Sequence, residues 1–107
     1  MSEWKKIGEV GVDSGQVMLT DPCYIDSQWK KTEGDTDYDK KPTKEYSYEG
    51  CCLATCSDDC YGQLNYEMGH AGAGVVVSSG YGDGSYPVYA KFNKDGHIME
   101  VKVVFLQ

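Results

Sequence analysis

A chain of 107 residues with 40% hydrophobic content has room for one modest core and is expected to form one domain spanning residues 1–107. Its net charge is -7 and all 10 basic residues are lysines, so it lacks the positive surface and the bidentate guanidinium that nucleic-acid binding relies on. No apolar run is long enough to span a bilayer and none follows Lys5-Lys6 as a secretory signal would, which points to a soluble cytoplasmic protein with reduced cysteines.

In chain order, Trp4 to Val10 is expected to be a short strand, closed by the turn chemistry of Asp13-Ser14-Gly15. Gln16 to Thr20 is a second strand, and Asp21-Pro22 stops it because proline removes a ladder donor. Ile25 to Lys31 reads as an irregular loop or one helical turn. Thr32 to Lys44 holds one aromatic and no aliphatic residue, so it is expected to be a long, mobile surface loop. Glu45 to Tyr48 alternates polar and aromatic residues, which predicts a strand running on into Gly50-Cys51-Cys52-Leu53-Ala54-Thr55. Ser57-Asp58-Asp59 is a turn or a helix cap, and Gln63 to Tyr66 is a further short strand.

The second half has clearer signals. Ala73 to Ser79 is a β-branched run expected to be a buried strand. A glycine loop, Gly80 to Gly84, then feeds the alternating stretch Tyr86 to Phe92, and Asn93-Lys94-Asp95-Gly96 predicts a hairpin turn. In the closing strand, His97 to Leu106, Met99, Val101, Val103 and Phe105 share one face and Glu100 and Lys102 the other, the pattern of a sheet covered on one side. No apolar stripe of helical period exceeds two turns. The fold expected is therefore mainly β: a small antiparallel domain of six or seven short strands, barrel or sandwich, with at most one short helix. Its open sheet edges favour a homodimer made by edge pairing or face packing.

The residues with chemical potential collect in two stretches: Asp13-Ser14-Gly15 through Asp21-Pro22-Cys23-Tyr24, and Gly80 to Tyr89. Asp13, Asp21 and Asp83 either converge on a cation, sugar or amine, or each caps its own turn. Asp83, flanked by glycines, has the least shielded side chain. Tyr24, Tyr81, Tyr86 and Tyr89, from a total of 9 tyrosines, could stack on a ring-bearing ligand or simply cover the sheet. Cys23 could act as a nucleophile with His70 or His97 as base, but Asp21 and Asp26 beside it disfavour the thiolate, and a small buried cysteine is the commoner outcome.

Other patterns fall short of their templates. Cys51, Cys52, Cys56 and Cys60, with His70 beyond, depart from the paired spacing of structural zinc sites. Asp35, Asp37 and Asp39 open like a calcium loop, but Lys40 replaces its glycine and Tyr46 its glutamate. The glycine loop lacks the G-K-[ST] ending of a phosphate loop and opens into a strand.

The blocks Asp13-Ser14-Gly15, Asp21-Pro22-Cys23-Tyr24 and Gly82-Asp83-Gly84-Ser85-Tyr86-Pro87-Val88-Tyr89, together with Gly50 to Thr55, resemble a family of bacterial and phage proteins of unknown function that share DSG…DPCY and GDGxYPVY motifs. The resemblance implies a bacterial or phage origin and carries no activity with it. The function expected is a non-catalytic binding or accessory protein, without metal or cofactor, whose partner is a small molecule or a protein. Its site would lie between the 21–24 corner and the 80–86 loop, formed by Asp21, Cys23, Tyr24, Asp83 and Tyr86. The alternatives are a hydrolase using Cys23 or the Asp21/Asp83 pair, and a structural or protein-interaction module.

Overall fold

The computed structural model describes residues 3–106, and in it six strands build two three-stranded antiparallel sheets, as the mainly β reading expects. The chain divides into two compact units, residues 16–78 and residues 1–15 with 79–107.

In the 16–78 unit, β2 (Gln16–Thr20) and β3 (Tyr61–Asn65) flank the central β4 (Ala71–Ser78). Met18 lies opposite Val76 on one side, and Leu64 opposite Gly74 on the other. A central strand has both edges paired, which suits the small and β-branched residues of β4. Its inward side chains Ala73 and Val76 meet Leu64, Tyr46, Cys51 and Ala54 in the core.

The segment expected to be a strand at Gly50 to Thr55 is a helix, α1 (Tyr48–Thr55). Its buried run Gly50 to Ala54 is small or apolar at every position, so periodicity cannot separate a buried helix from a buried strand. The decision is made at its start. Ser47 caps the helix, its hydroxyl accepting the Gly50 amide at 2.9 Å while its carbonyl accepts the Cys51 amide at 2.9 Å. Glu45 and Ser47, where the strand was expected to begin, make only isolated bridges, to Asn65 and Lys30. Buried Gly50, Cys51, Cys52, Leu53 and Ala54 then pin α1 to the sheet. The connection 32–44 contains no strand or helix, but Lys40 forms an ion pair of 3.3 Å with Glu49 of α1.

In the other unit, β5 (Gly84–Phe92) is central, with β1 (Lys5–Val12) and β6 (Ile98–Val103) at its edges. The Asn93 turn forms as expected: its side-chain oxygen accepts the amides of Asp95 and His97 at 2.9 and 3.0 Å. The face expected to be covered on β6 is open, with Met99 and Val101 each 52% exposed. Alternation records which residues share a face; it does not supply a layer to cover an edge strand. Phe105 lies beyond the strand, its ring edge-on to Tyr86 at 5.2 Å.

Gly50 is where backbone meets backbone. A Cβ there would stand 1.9 Å from the Glu45 carbonyl oxygen, which cannot yield as a flexible side chain would. Gly50→Ala is therefore expected to destabilise the protein by on the order of 3 kcal/mol or more, measured by urea unfolding. An effect within a few tenths of a kcal/mol would show that α1 starts without this close approach.

Candidate functional site

In the 1–15/79–107 unit the structure brings two of the sequence motifs together. The Gly15 carbonyl accepts the Ser79 amide at 2.9 Å, and a Cβ on Gly15 would lie 3.8 Å from the Gly82 Cα. The DSG turn and the glycine loop thus pack on each other. Gly82 has φ 89°, a conformation that opens its carbonyl to two clamps. The Ser79 hydroxyl donates to that oxygen at 2.6 Å and the Tyr86 hydroxyl at 2.8 Å. Tyr86 is buried, so its ring and hydroxyl staple the loop. Asp13, Tyr81 and Asp83 are exposed.

Asp21, Cys23 and Tyr24 belong to the 16–78 unit and form one short 3-10 turn, Pro22–Tyr24. Asp21 caps it by accepting the Cys23 amide at 3.1 Å. Cys23 is exposed, and its thiol is held above the ordinary value by desolvation and by the Asp21 carboxylate. That setting keeps it a thiol at neutral pH, the opposite of an activated nucleophile. The Tyr24 hydroxyl is pushed up to about 12, mainly by its hydrogen bond with Tyr66. The two rings meet edge-on at 5.0 Å.

What the turn positions next to it was not foreseen from sequence. The Tyr24 carbonyl accepts the amides of Gln28 and Trp29 at 2.9 and 3.1 Å, folding the following loop back on itself. Trp29, Tyr66, Lys30, Glu45, Lys44 and Asn65 then line a groove of about 560 Å³ that lies wholly within residues 16–78. Trp29 is fixed edge-on against the buried Tyr46 ring at 4.9 Å. Gln28 also lines it, its side-chain oxygen accepting the Glu67 amide at 3.0 Å. Lys30 pairs with Glu45 at 3.2 Å. The Glu45 carboxyl sits below the usual carboxylate range, chiefly because the Ser47 hydroxyl donates to it, with Lys30 adding to the effect.

Asn65 is the unusual member of the set. Its amide nitrogen donates to the Gly69 carbonyl at 3.1 Å, while its side-chain oxygen is buried and finds no donor among the described residues. Buried acceptors are rarely left so. The sequence signal for this groove was a tryptophan in a loop with few apolar neighbours, a position where a core role is hard to assign.

The five cysteines are all free, with Cys51 and Cys52 buried in α1 and Cys23, Cys56 and Cys60 exposed. Burial beside Cys52 pushes the Cys51 thiol up to about 12. Among the described residues no three His, Cys, Asp or Glu side chains are grouped to hold a metal ion. His70 is exposed and lies against the Tyr66 ring at 4.6 Å.

The chain belongs to the family described as Protein of unknown function (DUF4241). The match covers residues 5–103, so it takes in both units. No curated protein and no solved structure matches the chain. Among the described residues, no helix is long and apolar enough to cross a membrane.

The Cys23 setting has a measurable consequence. At pH 8 its alkylation, followed peptide by peptide, is expected to be slower than that of an unstructured cysteine peptide. Asp21→Asn keeps a capping oxygen and removes the charge, so labelling should accelerate several-fold. A fast wild-type reaction unchanged by Asp21→Asn would contradict this account of the turn.

Proposed function

We propose that this DUF4241 protein is a non-catalytic binding protein that holds a ring-bearing small molecule in the groove of its 16–78 unit. The observation that carries the reading is the groove itself, with the aromatic residues Trp29 and Tyr66 among those that line it. Concave sites that combine aromatic surface with a few fixed polar groups are the usual form of small-molecule pockets. Flat rings suit stacking. Lys30 and Lys44 are balanced by Glu45 and Glu67, so the lining favours a ligand of little net charge over a polyanion.

The Asp21–Tyr24 corner serves this site at one remove, through Tyr24 against Tyr66 and through the Tyr24 carbonyl that shapes the Gln28-Trp29 loop. Asp83 and Tyr86 belong to the other unit and are not needed by it. The raised thiol of Cys23 and the capping role of Asp21 favour binding over hydrolysis. In the bacterial or phage setting that the motif resemblance implies, such a protein would act as a carrier or a sequestering factor.

The test is calorimetric titration with a panel of nucleobases, nucleosides and aromatic amines, alongside native mass spectrometry of the purified protein for a retained small molecule. Saturable binding of at least one ring compound is expected. Thr43→Phe, an exposed rim change, should abolish it with the melting temperature unmoved. Asp83→Ala should leave it intact. Loss of binding in Asp83→Ala at unchanged stability would place the site at the glycine loop, and a protein that binds no member of the panel and retains no small molecule would overturn the reading.

A further inference from the structure

β6 stands at the edge of the β1-β5-β6 sheet, and its outer side pairs with no strand among the described residues. An open edge presents unpaired N–H and C=O groups to any strand that can match them. Natural edges are blunted by bulges and by charged side chains, lysine above all. β1, at the other edge of the same sheet, carries Lys5-Lys6 and a register break between Lys6 and Gly8. β6 has its register break at its start, where Met99 is passed over between Ile98 and Glu100; from Glu100 to Val103 its pairing with β5 is regular and Lys102 is its one lysine. Ile98, Met99 and Val101 are each more than half exposed.

The pattern of β6 is also complementary to itself. Set antiparallel to a second copy with the two-fold axis at Val101, in the regular part of the strand, Val101 faces Val101 and Glu100 faces Lys102 twice. The charges fall on the face that already carries Lys91, which pairs with Glu100 at 3.6 Å. Lys102 is held over the Trp4 ring at 4.2 Å, on the same face as Tyr89 opposite it. Across such a junction the row reads Lys91, Glu100, Lys102 of the second copy, so signs alternate without a like-charge neighbour. On the other face the two Val101 side chains meet and would leave water. A shift of one residue in either direction loses the opposite-charge pairs and turns apolar side chains against charged ones.

We propose that the protein forms a two-fold homodimer through antiparallel β6–β6 pairing centred on Val101, joining two three-stranded sheets into one of six strands. This inference stands on the edge strand alone and is independent of the groove. The second copy is the occupant because charge complementarity fixes the register, and opposite charges directly across a strand pair stabilise it while like charges oppose it.

Sedimentation equilibrium with a charge-reversal cycle tests it. Wild type is expected at twice the 11.8 kDa chain mass at submillimolar concentration and low salt. Glu100→Lys and Lys102→Glu each set like charges face to face twice and should weaken the dimer by roughly tenfold or more, while the double variant restores it. Circular dichroism checks that each variant is folded. Should a single variant not fold, hydrogen exchange of wild type gives the same answer, because amides of Met99 to Val103 should gain protection as concentration rises. A wild-type monomer at all concentrations, a dimer indifferent to both single reversals, or exchange in β6 independent of concentration would each overturn the proposal.

Discussion

A buried serine sets the conformation of the 16–78 unit. Ser47 is fully buried, and its hydroxyl donates to Glu45 at 2.8 Å while accepting the Gly50 amide. Its own amide bonds the Glu45 carbonyl and its carbonyl receives Cys51. A polar residue taken out of water must find partners for each of its groups, and here every one of them lies within a few residues of chain. The corner this makes cannot be extended, so α1 begins at Tyr48 and the backbone of Gly50 rests on Glu45. Side-chain volume at position 50 is excluded by the same contact that starts the helix.

The groove follows from that corner. Glu45 and Tyr46, on its approach, form one wall, and the Tyr46 amide segment receives Lys30 through the bond from the Lys30 nitrogen to the Tyr46 carbonyl at 2.9 Å. Tyr46 is buried and its ring backs Trp29, so the tryptophan is held by the core and still borders the opening. The Tyr46 hydroxyl is satisfied at 2.6 Å by Thr20, which in turn donates to the Ala73 carbonyl. Rigid walls of this kind limit the ordering cost when a ligand enters. The glycine loop of the other unit is organised by the opposite device: Gly82 turns its carbonyl inward and two hydroxyls hold it there.

How much could be read in advance depended on how local the deciding contact was. β2, β4 and β5 and the Asn93 turn were legible because β-branched runs, alternation and a side-chain cap act within a few residues. α1 was misread because Gly50 to Thr55 has no useful period, and its apolar character only says that it is buried. The signal that decides it, Ser47 followed by Glu49 in a first turn, is weaker than the hydrophobic run it precedes. On β6 the alternation was read through Met99 and on to Phe105, but the register breaks at Met99 and the strand ends at Val103. Exposure, too, depends on what lies above a strand, which its own sequence does not contain. Tyr24 was singled out for a ligand role; it does not line the groove but packs edge-on against Tyr66, which does. Trp29 and Asn65 were passed over because the Lys30–Ser47 and Glu45–Asn65 bridges that draw their segments together join distant parts of the chain.

Amide chemical-shift mapping during titration with the tightest ring compound tests the central claim most directly, since it reports position and occupancy together. The account predicts perturbation concentrated on Ser27 to Lys30, Thr43 to Tyr46 and Asn65 to Gly69, with the indole N–H of Trp29 shifting and that of Trp4 still. Shifts centred on Gly80 to Ser85, or spread evenly over both units, would contradict it.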